Sequence, residues 1–379
     1  MSAVKSVISL SLLVAALPVV AQGPVVTPAN EWRQFRGNPR LTGMSASTLP
    51  ATLKVLWTYD TGDAIDSSAA IADGVVYVGG GNGDLLALDL ESGTLRWKYT
   101  TGNLIGESSP AVGSDTVFIG DLGGIVHAVS TRDGKSLWTF KTGSEIKSSP
   151  VVVAGVPGVN DVVLIGSYDG HLYALDARTG RVRWKVLTNG MVHATPAVQE
   201  GLAFIAGCDA IFRAIRVADG RQMYQVESGA YTGASPVVDG NRAYFGTFNF
   251  EVLALDLKKR TVVWRYSQPD AQFPYYSSAA LSNGRVIVGG RDKTIHAIDT
   301  ATGKAAWTFA TRARVDSSPV VAGGRVYVGS SDGRLYVLDA ASGRKLSEFD
   351  TGAAITASPA IAGDRVVIGS QDGRLYVLG

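Results

Sequence analysis

Apolar and β-branched residues along this chain alternate with a period of two in short runs, and the runs are broken by glycine paired with small polar residues. From Ser317 to Asp339, three such runs are cut by Ala322-Gly323-Gly324 and Ser331-Asp332-Gly333. Those cuts read as hairpin turns, so the stretch predicts three consecutive antiparallel strands. A fourth strand follows a Thr-Gly or Ser-Gly turn and usually carries a Trp, as in Ala297 to Trp307. The same eleven-residue stretch appears at Ala87 to Trp97 and Ala174 to Trp184, and in weaker form at Ala128 to Trp138 and Ala254 to Trp264. Tyr224 and Ser347 stand at the Trp position of two further copies.

A Ser/Thr-Pro or Ser-Ala step opens each copy, at Ser68, Ser109, Ser149, Thr195, Ser235, Ser278, Ser318 and Ser358. A period of roughly forty residues built from four short strands predicts an all-β fold, an eight-bladed β-propeller of four-stranded antiparallel blades. The last copy stops at Leu375 to Gly379, where its fourth strand should begin. Leu53 to Gly62 fits that missing strand and has no other three before it, so the N-terminal strand is expected to complete the last blade and leave no open edge. Residues 53–379 are therefore read as one closed domain, although length alone would suggest two or three.

Composition changes the picture little. Forty-five glycines serve turns, 46% hydrophobic content supplies a core, and a formal charge of +2 gives no basic field for nucleic acid. Residues 1–21 read as a signal peptide, with Lys5 ahead of an apolar stretch from Val7 to Val20 and a cleavage site before Gln22. The single cysteine, Cys208, excludes an internal disulfide, and no cysteine follows the signal to receive a lipid. The expected product is a periplasmic or secreted monomer with no transmembrane span. Residues 22–52 form a Pro-rich N-terminal arm, expected to pack Trp32 and Phe35 on the propeller flank, with a recognition role as the alternative.

Catalytic motifs are few. There is no His-Glu-x-x-His, no Cys-x-x-Cys and no phosphate loop. The one Gly-x-Ser-x-Gly match, Gly329 to Gly333, falls on a strand-to-strand hairpin and not on a strand-to-helix elbow. His127, His171 and His296 lie on or at the start of third strands without a second ligand at fixed spacing, and are read as packing or surface residues. Asp89, Asp176, Asp256, Asp299 and Asp339 recur at one place and are expected to hydrogen-bond the turn before the fourth strand.

The Ala-x-Asp-x-x-Thr-Gly-x-x-x-Trp stretches resemble the tryptophan-docking repeats of the pyrroloquinoline quinone (PQQ)-like propeller superfamily, over nearly all of residues 53–379. The resemblance implies one of two branches. Quinoprotein alcohol dehydrogenases bind PQQ and calcium on the propeller axis, beneath an adjacent Cys-Cys pair, with a Glu and an Asn on calcium and a catalytic Asp. The BamB-like propellers of the outer-membrane β-barrel assembly machinery are non-enzymatic. Blade count and length resemble the second branch; the Cys-Cys pair is absent, and no stretch places the Glu, Asn and Asp. Departures from the second branch are the missing lipid-anchor cysteine and the absence of its partner-contacting Arg and acidic residues at Gly190 to His193 and Tyr231 to Gly233.

Positions that vary between blades carry the candidate site. The residue two before each step Ser or Thr is expected at the mouth of the axial channel, and around the ring it reads Asp66, Glu107, Lys147, His193, Gly233, Tyr276, Asp316 and Thr356. Asp316, Asp66 and Glu107 make an acidic arc. Blades four to six break the Asp-Gly hairpin pattern and carry Tyr231, Phe248, Phe250, Phe273, Tyr275 and Tyr276, expected as an exposed aromatic patch on the same face. The expected function is an exported, non-catalytic BamB-like scaffold that binds another envelope protein, with no cofactor. The alternative is a PQQ- and calcium-dependent oxidoreductase or a sugar-binding propeller.

Overall fold

The structure, a computed structural model, describes residues 25–155, 161–270 and 272–379; the expected signal peptide over residues 1–21 lies outside them. Among the described residues thirty-three strands form eight sheets arranged as the blades of a propeller. In blade 1 the strands Ala70–Ala72, Val75–Gly79, Asp84–Asp89 and Leu95–Thr100 pair antiparallel in chain order, from the axis outward. The second strand is buried along its whole length, because each blade is sandwiched between two neighbours and both of its faces meet apolar side chains. The outermost strand alternates between exposed and covered positions. Among the described residues no helix is long and apolar enough to cross a membrane.

Blade 8 closes the ring as expected. Its C-terminal strands Ala360–Ala362, Arg365–Gly369 and Arg374–Leu378 are completed by Val55–Asp60, which pairs antiparallel with Arg374–Leu378. Lys54 and Gly379 exchange backbone hydrogen bonds of 2.9 and 3.0 Å at its end.

Two devices join neighbouring blades. The first is the outer-strand Trp, whose indole N–H donates to a carbonyl of the next blade: Trp57 to Leu90, Trp97 to Thr131, Trp138 to Ala177, Trp184 to Val217, Trp264 to Thr300 and Trp307 to Ala340. Each ring lies flat on the glycine of that blade's last turn. A Cβ on Gly93 would stand 2.7 Å from the Trp57 ring, and its φ of 71° already favours glycine. The recurrent Asp shapes the same turn, as Asp89 Oδ1 accepting from the backbone N–H groups of Glu91 and Ser92 shows.

The second device lies at the axis and had no signal beyond the repeat itself. The backbone N–H of Ser68 donates to Ser109 Oγ, Ser109 to Ser149, Ser149 to Thr195, Thr195 to Ser235, Ser235 to Ser278, Ser278 to Ser318, Ser318 to Ser358, and Ser358 back to Ser68. All eight residues are buried, and their bonds form a closed circle around the axis. Replacing Ser149 by Ala should leave the Ser109 N–H without an acceptor and lower unfolding free energy by about 1–3 kcal/mol. A urea midpoint unchanged from the parent would remove the ring from the account of closure.

The arm corrects the expectation of flank packing. It crosses the face opposite the mouth and caps the far ends of the innermost strands. Carbonyls of Trp32, Arg33, Pro39, Arg40, Thr42 and Gly43 accept from Ile71, Val112, Val198, Val238, Leu281 and Val321, one residue in each of blades 1, 2, 4, 5, 6 and 7, and Ala29 accepts from Gly363 of blade 8. Met44–Ser45 adds a short parallel strand to Val320–Ala322. Trp32 is 1% exposed within the largest apolar cluster, and Phe35 points into the axial channel. The reason is polar: six innermost strands would otherwise end with unpaired N–H groups around a closed pore.

Candidate functional site

The mouth of the channel is a polar well of about 240 Å³. All eight ring positions named from the sequence line it, as do seven of the eight Ser/Thr ring residues and Phe35. The innermost strands bring these side chains together because each begins at the mouth, runs past the hydroxyl ring and ends at the arm.

Tyr276 divides the well. It enters from blade 6, and its hydroxyl donates to Glu107 Oε2 at 2.8 Å on blade 2, four blades away in a ring of eight. The bond therefore spans the axis. Gly233 makes room for it, since a Cβ there would meet the Tyr276 ring at 2.8 Å. His193 of blade 4 stands at 3.0 Å from the same hydroxyl and 3.4 Å from Glu107, and its other nitrogen is 2.7 Å from Tyr168 Oη. Burial alone would raise the Glu107 pKa, but His193, Tyr276 and the Lys147 charge hold it below the ordinary carboxylate value. Burial, and then Glu107, push the Tyr276 phenol far up, so it stays a hydrogen-bond donor.

The acidic arc expected from the sequence is not an open acidic surface. Asp316 accepts from Arg291 at 2.8 and 3.2 Å and forms an ion pair with Arg314 at 3.2 Å, while Arg291 also lies over the Tyr276 ring at 4.4 Å. Asp66 accepts from Thr356 and Gln371, both at 2.7 Å. Asp316 is thus paired with Arg291 and Arg314, the Lys147 charge acts on Glu107, and Asp66 is held by neutral donors. Sequence reasoning missed Arg291, Arg314, Tyr168 and Gln371; the signal for Arg291 was its place in the broken hairpin of blade 6, and for Arg314 its position two residues before Asp316.

The aromatic patch separates into three. Tyr231 and Phe273 are 61% and 52% exposed, and Phe248 is exposed beside Tyr231, its backbone N–H bonded to the Tyr231 carbonyl. Met191 in the loop entering blade 4 continues this apolar rim. Phe248 also meets the edge of Tyr276, 6.1 Å between centroids, joining rim to well. Phe250 is half-buried with φ at 63°, where five other blades place glycine; Ala210 and Lys293 take the same conformation in blades 4 and 6. Tyr275 is a correction: it is 2% exposed, packed edge-on against His296 at 5.2 Å and near Tyr266. Alternation along an extended segment puts neighbouring side chains on opposite sides, so Tyr276 entering the channel sends Tyr275 into the core. His127 and His296 are buried, each between a Tyr hydroxyl and an Asp, and His171 pairs with Asp169.

The family model described as outer membrane protein assembly factor BamB matches residues 35–153, 123–275 and 251–379. The outer membrane protein assembly factor BamB of Escherichia coli (strain K12) is 29% identical over 118 residues, 31% of this chain and 28% of that protein's length. The crystal structure of BamB from Moraxella catarrhalis is similar over 86% of this chain and 97% of that one, with a TM-score of 0.72 and 19% identity. Quinohemoprotein alcohol dehydrogenase from Comamonas testosteroni matches over 92% of this chain and 80% of that one, with a TM-score of 0.79 and 14% identity. At such identities the two structures share the fold.

The well does not fit a calcium-held quinone. Calcium takes six to eight oxygens, and among the described residues no three His, Cys, Asp or Glu side chains stand together to hold a metal. Each mouth acid is already engaged, and the Tyr276 bar crosses the axis where a flat ring would lie.

Proposed function

This chain belongs to the family described as outer membrane protein assembly factor BamB, and from that membership we propose that it is an exported, non-catalytic scaffold that holds a polypeptide partner in the cell envelope. The observation that carries the reading is the rim of blades 4 to 6, where Met191, Tyr231, Phe248 and Phe273 are exposed on one face. Exposed aromatics gathered on loops above a rigid ring are the groups that anchor a partner, since they bury large area at low entropic loss. Beneath them the acids of the well are engaged internally, Glu107 by Tyr276, Asp316 by Arg291 and Asp66 by Thr356 and Gln371, which supports a binding surface over a reaction centre.

Changing Tyr231, Phe248 and Phe273 together to Ala should leave the fold nearly unchanged, with about 0.5 kcal/mol or less per exposed site. Affinity for an unfolded outer-membrane β-barrel polypeptide, read by fluorescence anisotropy, should fall at least about thirtyfold, the equivalent of about 2 kcal/mol for one aromatic anchor. Equal affinity in parent and variant would sink the rim as the binding surface. The likeness to quinohemoprotein alcohol dehydrogenase keeps a second reading testable. Stoichiometric retention of added PQQ and calcium, with alcohol turnover, would replace the scaffold with an oxidoreductase.

A further inference from the structure

The arm carries a charge that the fold does not balance. Arg36 lies in the turn from Gln34 to Gly37 with φ at 63°, and its side chain is 1% exposed. Nη2 donates to the carbonyl of Ala279 in blade 6 at 2.7 Å, while Nε and Nη1 have no acceptor among the described residues. Arg213, almost as deeply buried, shows what a paired guanidinium looks like here: Asp209 holds it with two bonds of 2.9 and 2.5 Å. Arg36 has no carboxylate acting on it, and burial lowers its pKa to about 9, which still leaves it charged at neutral pH.

A buried charge without a partner is far more destabilising than a neutral unpaired group. One backbone carbonyl cannot neutralise it. Gln34 Nε2, two residues away in the arm, is also buried and without an acceptor among the described residues. The guanidinium is tightly packed, with a Cβ on Gly43 falling 2.0 Å from Nη2, so a partner for Nε and Nη1 must be small. We propose that Arg36 holds a small monovalent anion of halide size between the arm and the inner end of blade 6, with water serving the donors it does not reach. The anion fastens the arm to blade 6, and the site is separate from the mouth, whose lining does not include Arg36.

The test uses the full mature chain at constant ionic strength, with sodium gluconate replaced stepwise by sodium chloride. Melting temperature should rise by about 2–4 °C by 200 mM chloride, and Arg36→Met should abolish that anion-specific rise. Because Arg36→Met also disturbs the arm, parent crystals soaked in sodium bromide provide an independent readout. An anomalous peak within about 3.5 Å of the guanidinium is expected. Absence of both the chloride-specific rise and the bromide peak overturns the proposal and leaves water as the partner.

Discussion

A chain that begins at Thr61, without the arm and the strand Val55–Asp60, is expected to aggregate. Its eighth blade would be three strands wide, exposing the Arg374–Leu378 edge that now pairs with Val55–Asp60. Loss of the Trp57 ring from Gly93, with its 2.9 Å bond to the Leu90 carbonyl, removes the junction between blades 8 and 1. Truncating that half-buried Trp alone to Ala should lower stability by about 2–3 kcal/mol, below the scale of fully buried aromatics. Light scattering and a melting curve decide it: a monomeric truncated chain with an unchanged midpoint would refute closure by the N-terminal strand.

Trp32→Ala should have a larger effect, about 3–5 kcal/mol, while leaving every blade intact. Trp32 and Ile71 exchange backbone bonds of 2.8 Å, and the ring packs so closely over Gly37 that a Cβ there would meet it at 2.8 Å. Without that ring the arm loses its largest anchor, so trypsin should cut after Arg36 and Arg40, which are protected in the parent. Protection that persists in the variant, with a midpoint within a degree of the parent, would mean that the backbone bonds alone hold the arm.

Blade number, strand order and ring closure were legible because eightfold repetition multiplies a weak alternation signal, and because Val55–Asp60 matched a strand missing at the other end. The ring positions at the mouth were legible for the same reason: a fixed offset from the step Ser or Thr lands on one place in every blade. The arm's path was not. Its bonds to the blades are made by backbone carbonyls, which no side-chain pattern announces. The acids at the mouth read as an arc because their partners come from other segments, Arg291 from a hairpin and Gln371 from the end of the chain. Tyr275 and Tyr276 read alike as neighbours, and only the direction of the strand separates core from channel.

The account turns on whether the rim of blades 4 to 6 is where a polypeptide sits. Photo-crosslinking in living cells tests this most directly, with a benzophenone amino acid placed singly at Tyr231, Phe248 or Phe273 and, as controls, at Leu95 and Leu346 on exposed outer strands. The rim positions should give one discrete adduct with an envelope protein, lost in the Tyr231, Phe248 and Phe273 triple-Ala background when the label is moved to Met191. Adducts from Leu95 and Leu346 with none from the rim would contradict the account.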